Sequence, residues 1–412
     1  MMTVVVGAGL AGLTCAKVLT RAGCPCLVFE AAGVPGGRVV SGRTPDGYIL
    51  DRGFQVLLSS YPSARKHLDL VSLGGGAFRS GALFVGDGAP RTLENPLRNP
   101  LSALAAFGGV LPAVDMVRLA FLTLAAVRGG GADIKAEDFL RGRGFSEKFF
   151  ARFAIPFFGG VLLDPALSQS SSLLLGYLRR FATGLALLPG AGIGAIAGQL
   201  ASRLQPESVR YACRVERVLF DNGRARGVVL ESGEHVAADN VVLAADEPSV
   251  CRLLGRGEPR RAFSTAVHYF AAGRAFHRGG WICLPPFDSG NPVLHAALLT
   301  NVAPSLAPAG RHLWSVTVKP DHPRAHDAEF VAAVVASWFR ADRSELQPLD
   351  FIRVLYAVPA QPPGFQRRPA PWGELPPGLL VAGDAVSGAS IDAAMASGEA
   401  AAKKLILSAA GN

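Results

Sequence analysis

The run Gly7-Ala8-Gly9-Leu10-Ala11-Gly12 constrains this chain more than any other feature. A β-branched run, Thr3 to Val6, precedes it and has the composition of a strand buried on both faces. An amphipathic stretch, Leu13 to Ala22, follows, and Gly23 stops it as a residue past a helix C-terminus does. A second strand, Pro25 to Phe29, then ends in Glu30 with Ala31 beside it. In this setting Gly7 permits the tight strand-to-helix turn, and Gly9 lets backbone approach a diphosphate. Gly12 lets the helix pack close to the strand. The free N–H groups and positive dipole end of the helix receive phosphate charge. Glu30 accepts from ribose hydroxyls and disfavours a 2′-phosphate. The unit therefore predicts a dinucleotide site that does not take NADP.

At 412 residues the chain predicts two structural units sharing one cofactor. Half of the residues are hydrophobic, as in a packed α/β protein. The net charge of +9 includes no run of basic residues, which argues against a nucleic-acid partner. It fits either a coding bias towards arginine or a weak attraction to an anionic membrane surface. The six cysteines lack zinc spacing and read as buried thiols in a reducing compartment. The first strand starts at Thr3, which leaves no room for a signal peptide, so a cytoplasmic location is expected. The apolar region Leu101 to Val127 is interrupted by Pro112, Asp115 and Arg118. It reads as two packed helices rather than a membrane span. His322 and His326 lie in a Pro-containing loop, and no metal site is expected.

Three further segments carry a resemblance. Gly36-Gly37-Arg38 follows Glu30; Asp51-Arg52-Gly53-Phe54-Gln55 comes next; and Gly378-Leu379-Leu380-Val381-Ala382-Gly383-Asp384 precedes Ser390-Ile391-Asp392-Ala393-Ala394-Met395-Ala396-Ser397-Gly398. Together they resemble the superfamily of flavin amine oxidases, phytoene desaturases and protoporphyrinogen oxidases. The resemblance implies an α/β fold: a Rossmann-type, three-layer FAD-binding domain on a parallel sheet, with an inserted substrate domain of mixed sheet and helices. It implies FAD as cofactor, with Gly37 and Arg38 at the diphosphate and Gly53, Phe54 and Gln55 beside the flavin ring. Asp384 would hold the ribityl chain, and the Ile391 N–H would lie near flavin O2. A helix start there stabilises the negative charge of reduced flavin. Asp392 and Ala393 depart from the Glu and Gly common in the family. Val215, on an alternating run from Val209 to Phe220, is either the backbone contact to adenine or a plain core residue. No cysteine lies between Gly383 and Gly398, so covalent flavin attachment is not expected.

Gly190-Ala191-Gly192-Ile193-Gly194 imitates a second dinucleotide loop, but Pro189 stands where a strand should end and no β-branched run precedes it. Residues 76–180 read as helical, with Asp133 as an N-cap. Their series of Phe139, Phe145, Phe149, Phe150, Phe153, Phe157 and Phe158 is either core or the wall of an apolar tunnel. Alternating runs between Phe263 and Tyr356 resemble the antiparallel sheet that carries substrate over the flavin in this family, which implies that His268 or Tyr269 faces the ligand. The units are then 1–75, 185–260 and 355–412 for FAD, and 76–184 with 261–354 for substrate. The expected reaction moves a hydride from a C–H bond of a hydrophobic small molecule to flavin N5. Two other readings stay open: an amine oxidase, for which Lys319 and Trp372 are the candidate residues, and a silent FAD-binding scaffold.

Overall fold

The computed structural model describes residues 2–95, 110–129, 131–288 and 290–410. Its first sheet is parallel throughout, in the order Val209–Arg210, Cys26–Phe29, Thr3–Val6, Asn240–Leu243, Leu379–Val381. Thr3–Val6 lies at its centre and is buried on both faces, which is why the run has no polar alternation. Val5, Val28 and Val242 point to a core shared with Leu13 and Leu19 of the helix Leu10–Arg21 and Met395 and Leu405 of the helix Ile391–Ala410. Each such leucine contributes roughly 1.5–3 kcal/mol through burial. Val4, Val6, Val241 and Leu243 point the other way, against Val215, Val218 and Leu230 of a three-stranded antiparallel sheet (Val215–Asp221, Arg224–Leu230, His235–Ala237).

Two glycines set the closeness of this packing. A Cβ at Gly12 would collide with the Gly7 carbonyl oxygen, and one at Gly398 with that of Ala11. The first helix thus sits tight against both the glycine loop and the last helix, so segments near opposite ends of the sequence meet at one place.

A seven-stranded mixed sheet forms the second large unit. Its order is Gln347–Pro359, Ala262–Ala272, His312–Val318, Val293–Leu298, Ile282–Leu284, Gly81–Phe84, Arg91–Glu94. All pairs are antiparallel except Ile282–Leu284 with Gly81–Phe84. One face packs Phe270, Trp314 and Val316 beneath the helix Ala328–Ser337. The opposite face, with Val267, Tyr269 and Ala297, meets Tyr48, Ile49 and Leu50 of the first unit. The helices Ala113–Arg128, Ala136–Gly142 and Ser171–Thr183 flank the sheet with a π-helix, Phe150–Gly159. No helix among the described residues is long and apolar enough to cross a membrane.

Several expectations need correction. Residues 76–95 are not helical: Gly76–Ala77, Gly81–Phe84 and Arg91–Glu94 are strands, the last two closing the edge of the mixed sheet. Asp133 is not an N-cap. Lys135 occupies that position, and the Asp133 carboxylate accepts from Ser170 Oγ and the Gly364 N–H instead. The run from Val209 to Phe220 is two strands, separated where Ala212 takes a left-handed φ of 52°. The first stretch of Leu101 to Val127, up to residue 109, lies outside the described residues, and Ala113–Arg128 forms its second helix.

Candidate functional site

The glycine loop is built to receive charge. Gly7 adopts a φ of +105°, and a Cβ there would lie 2.6 Å from the Ala244 carbonyl oxygen. Gly9 faces open space: a Cβ added there would meet nothing within 4 Å. No side chain caps the helix that starts at Leu10 and continues through Ala11 and Gly12. Its first N–H groups are therefore available to an anion. Glu30 is buried at the end of its strand, accepting from the Ala8 N–H at 2.7 Å and the Ala32 N–H at 2.8 Å. Ala31 between them is exposed. The Cys213 N–H donates to the Glu30 carbonyl at 2.8 Å, which brings buried Val215 to the same end of the sheet.

The next three segments converge on this loop. Gly36 bridges to Gly9 and donates to the Ala8 carbonyl, and Gly37 lies against Gly9. Arg38 reaches past them, donating to the Ala357 carbonyl at 2.9 Å and lying 2.5 Å from the Asp384 carboxylate. Gln55 Nε2 donates to the Arg38 carbonyl, tying the Asp51–Gln55 segment to the same place. Gly53 has a φ of +93° and faces Thr265 of the mixed sheet. Phe54 sits edge-on to Phe78 and 5.3 Å from the His295 ring.

The carboxyl end closes the site. Gly383, at a φ of +118°, donates its N–H to Ser397 Oγ, and Asp384 begins a single helical turn with its side chain buried. Ser390 Oγ accepts from the Ala393 N–H at the start of the last helix. Among the described residues nothing accepts from the Ile391 N–H. These contacts link the glycine loop, the Gly36–Arg38 turn, the Asp51–Gln55 segment and the turn at Asp384. The open cradle at Gly9, the uncapped helix start, the Glu30 carboxylate at the end of the second strand and the Arg38 guanidinium fit a dinucleotide.

Other expectations fare differently. Tyr269 is the member of its pair on the face toward the first unit, buried and donating to the Asp51 carbonyl at 2.9 Å; His268 points the other way to the Ala325 carbonyl. Lys319 donates to the Asp288 carbonyl and lies over the Phe287 ring, and Trp372 is buried in core. The Gly190 loop follows a short strand, Ala186–Leu188, which has no β-branched residue and ends at Pro189. That strand is antiparallel to Leu57–Leu58 and Gly76–Ala77, however, and outside the parallel sheet. The loop's Ile193 N–H donates to Asp51 Oδ1 and its Gly194 N–H to Ser41 Oγ. A carboxylate of the chain itself occupies the place a phosphate would take. Burial pushes that Asp51 carboxyl up to about 6, against the hydrogen bonds from Ser41 and Ile193.

A cavity of about 390 Å³ lies between the mixed sheet and the helices Ala113–Arg128 and Ser171–Thr183. Phe84, Phe153, Phe157, Leu178, Phe181 and Met116 line it, and Phe78 stands between it and Phe54. The π-helix supplies Phe153 and Phe157; its widened turn, which includes Pro156, presents them to the cavity. His295 lies at the same boundary, fully enclosed, and burial pushes its imidazole down to about 4. No sequence motif marks His295, Tyr177 or Gln361, which are placed only by tertiary packing.

The family model for flavin containing amine oxidoreductases matches residues 10–406. Hydroxyneurosporene desaturase of Rubrivivax gelatinosus is 27% identical over 304 residues, covering 63% of this chain and 56% of that protein. The chain thus spans about half the length of this curated relative. An oxidoreductase from Methanosarcina mazei superposes with a TM-score of 0.73 at 18% identity, covering 98% of this chain and 100% of that one. A putrescine oxidase superposes with a TM-score of 0.70 at 15% identity, covering 99% of each. At these identities the two structures share the fold alone. The family model, by contrast, spans nearly the whole chain and all the cradle residues from Leu10 onward, so the chain belongs to the flavin-containing amine oxidoreductases and is an FAD-dependent oxidoreductase.

Proposed function

We propose that the chain dehydrogenates a hydrophobic small molecule, in the manner of a desaturase, with the C–H bond held against FAD. The observation that carries this reading is the Phe-lined cavity whose wall residue Phe78 packs edge-on against Phe54. Bound flavin supplies the acceptor position for a hydride and its pair of electrons. The chain's own residues then bind, orient and exclude water. In this reading Gly7 to Gly12, Gly37 and Arg38 hold the diphosphate, Glu30 and Ala31 the ribose, and Val215 the adenine. Gly53, Phe54 and Gln55 border the ring, Gly383 and Asp384 hold the ribityl chain, and the Ile391 N–H faces the pyrimidine edge. The layered parallel sheet serves as a Rossmann-type FAD domain comprising 1–75, 185–260 and 355–412, and the remainder as substrate domain.

Amine oxidation is the weaker reading, because the one lysine of the mixed-sheet region is engaged with Asp288 and Phe287. An apolar substrate also suits the surface beside the cavity. Val114, Val117, Phe121 and Leu124 of Ala113–Arg128 are exposed along one side, and Met116, Leu119 and Ala120 of the same helix line the cavity. This supports weak association with a membrane surface, near which an apolar substrate concentrates.

The test is anaerobic. The FAD-loaded protein is mixed with detergent-dispersed polyenes or with primary amines, and flavin absorbance is followed. Bleaching by the polyenes alone is expected; bleaching by amines alone would overturn the assignment.

A further inference from the structure

The helix Ser171–Thr183 touches two places at once. Leu178, Phe181 and Ala182 line the apolar cavity. Its other side holds the start of the last helix: Tyr177 donates its hydroxyl to the Ala389 carbonyl at 2.9 Å, and Arg180 lies 3.6 Å from the Asp392 carboxylate. Arg180 is itself anchored by donating to the Ser60 carbonyl at 2.8 Å, and Asp392 accepts from the Ser63 N–H at 2.7 Å.

A second clamp grips the same turn. Gln361 is buried, and its Oε1 accepts from the Ala389 N–H at 3.3 Å. A Cβ at Gly388 would lie 2.7 Å from that oxygen, so the neighbouring Gly388, at a φ of +91°, has its free side filled by Gln361. Gln361 is fixed in turn by its N–H to Gln169 Oε1 at 2.8 Å and by its carbonyl, which accepts from the Ser170 N–H. Both backbone groups of Ala389 are therefore held two residues before Ile391, the carbonyl by Tyr177 of the substrate unit and the N–H by Gln361, which Gln169 and Ser170 of that unit fix in place. Nothing in the last helix itself requires this. Ser390 already caps its Ala393 N–H.

We propose that Tyr177 and Arg180 are positioning residues that set where the start of the last helix meets bound flavin, and so how strongly reduced flavin is stabilised. The proposal rests on the reading that Ile391 faces the pyrimidine edge. A helix start acts on nearby negative charge only within its first turn, and a small displacement weakens it. Without the Tyr177 hydroxyl the Ala389 carbonyl loses its donor and the turn relaxes. Without Arg180 the Asp392 carboxylate stands uncompensated beside the site, which opposes negative charge on the ring.

The experiment compares Tyr177→Phe and Arg180→Gln with the parent chain, each loaded with FAD. Three readouts are taken: FAD affinity by fluorescence quenching, the visible flavin spectrum, and the midpoint potential by dye-linked reductive titration. Both variants are expected to retain FAD but to favour reduced over oxidised flavin about tenfold less, a potential about 30 mV lower, with a shifted flavin band. If Tyr177→Phe does not fold, Arg180→Gln carries the test. Variants that hold FAD with the parent's spectrum and potential would overturn the positioning role and leave the cofactor assignment intact. A parent chain that takes up no FAD would overturn both.

Discussion

The Arg38 guanidinium lies 2.5 Å from the Asp384 carboxylate, so a turn near the beginning of the chain and a turn near its end share one charge pair. Arg38 is partly exposed and Asp384 buried. A carboxylate so enclosed needs a compensating charge. Replacing Arg38 by Ala is expected to weaken FAD binding about 10- to 100-fold, the loss of one charge-assisted contact. Arg38→Lys should recover only part, because lysine lacks the planar fork. Titration of apoprotein with FAD measures both, and an unchanged affinity for the alanine variant would refute the role.

Glu30 joins the two strand ends through the N–H groups of Ala8 and Ala32. Glu30→Gln presents an amide that can face only one of them with an oxygen. The other N–H is left without its acceptor, and a destabilisation of about 1–3 kcal/mol is expected. Urea unfolding of the apoprotein provides the measurement, separately from any change in FAD affinity.

The cavity gives a prediction that spares the cofactor. Ala120 lines it, and Ala120→Phe would fill part of its volume. Flavin content and spectrum should match the parent, while bleaching by an apolar substrate slows by about tenfold or more. Equal bleaching rates would place the substrate elsewhere.

Glu399 yields a pH prediction. Burial alone would raise its carboxyl; hydrogen bonds from Lys403, Lys66 and His67 outweigh burial and bring it down to about 2. A carboxyl lowered in the folded state stabilises it above the unfolded value, near 4.5. That stabilisation is lost as pH falls from there through about 2. Glu399→Gln should therefore cost on the order of 3 kcal/mol at neutral pH. The difference from the parent should shrink at pH 3. A difference independent of pH would mean that packing, not charge, is responsible.

The parts of this molecule legible in its sequence are those made by neighbours in the chain. Thr3–Val6, the glycine loop and Glu30 declare themselves because strand, turn and helix follow one another within thirty residues. The strand before Gly383 reads equally well. The strands Gly81–Phe84 and Arg91–Glu94 do not, since they are held by pairing with the distant Ile282–Leu284 and with each other. Asp133 resembles a cap because it precedes a helix, but its acceptor capacity goes to Ser170 and Gly364. The Gly190 loop imitates a phosphate cradle in sequence, whereas in the fold its Ile193 N–H donates to Asp51 and its Gly194 N–H to Ser41. Tyr177 and Gln361 carry no local signal; only the fold brings them to Ala389.

The parallel sheet takes its edge strand from Leu379–Val381, and the pair to Arg38 comes three residues after it. During synthesis the amino-terminal cradle therefore emerges long before its closing pieces, and most of the chain must leave the ribosome first. A prematurely released polypeptide would present the glycine loop without the turn at Asp384 or the helix that packs on Gly12's helix. On the proposed cofactor roles, a product cut short before them lacks Asp384 and the last helix and is expected to take up no FAD.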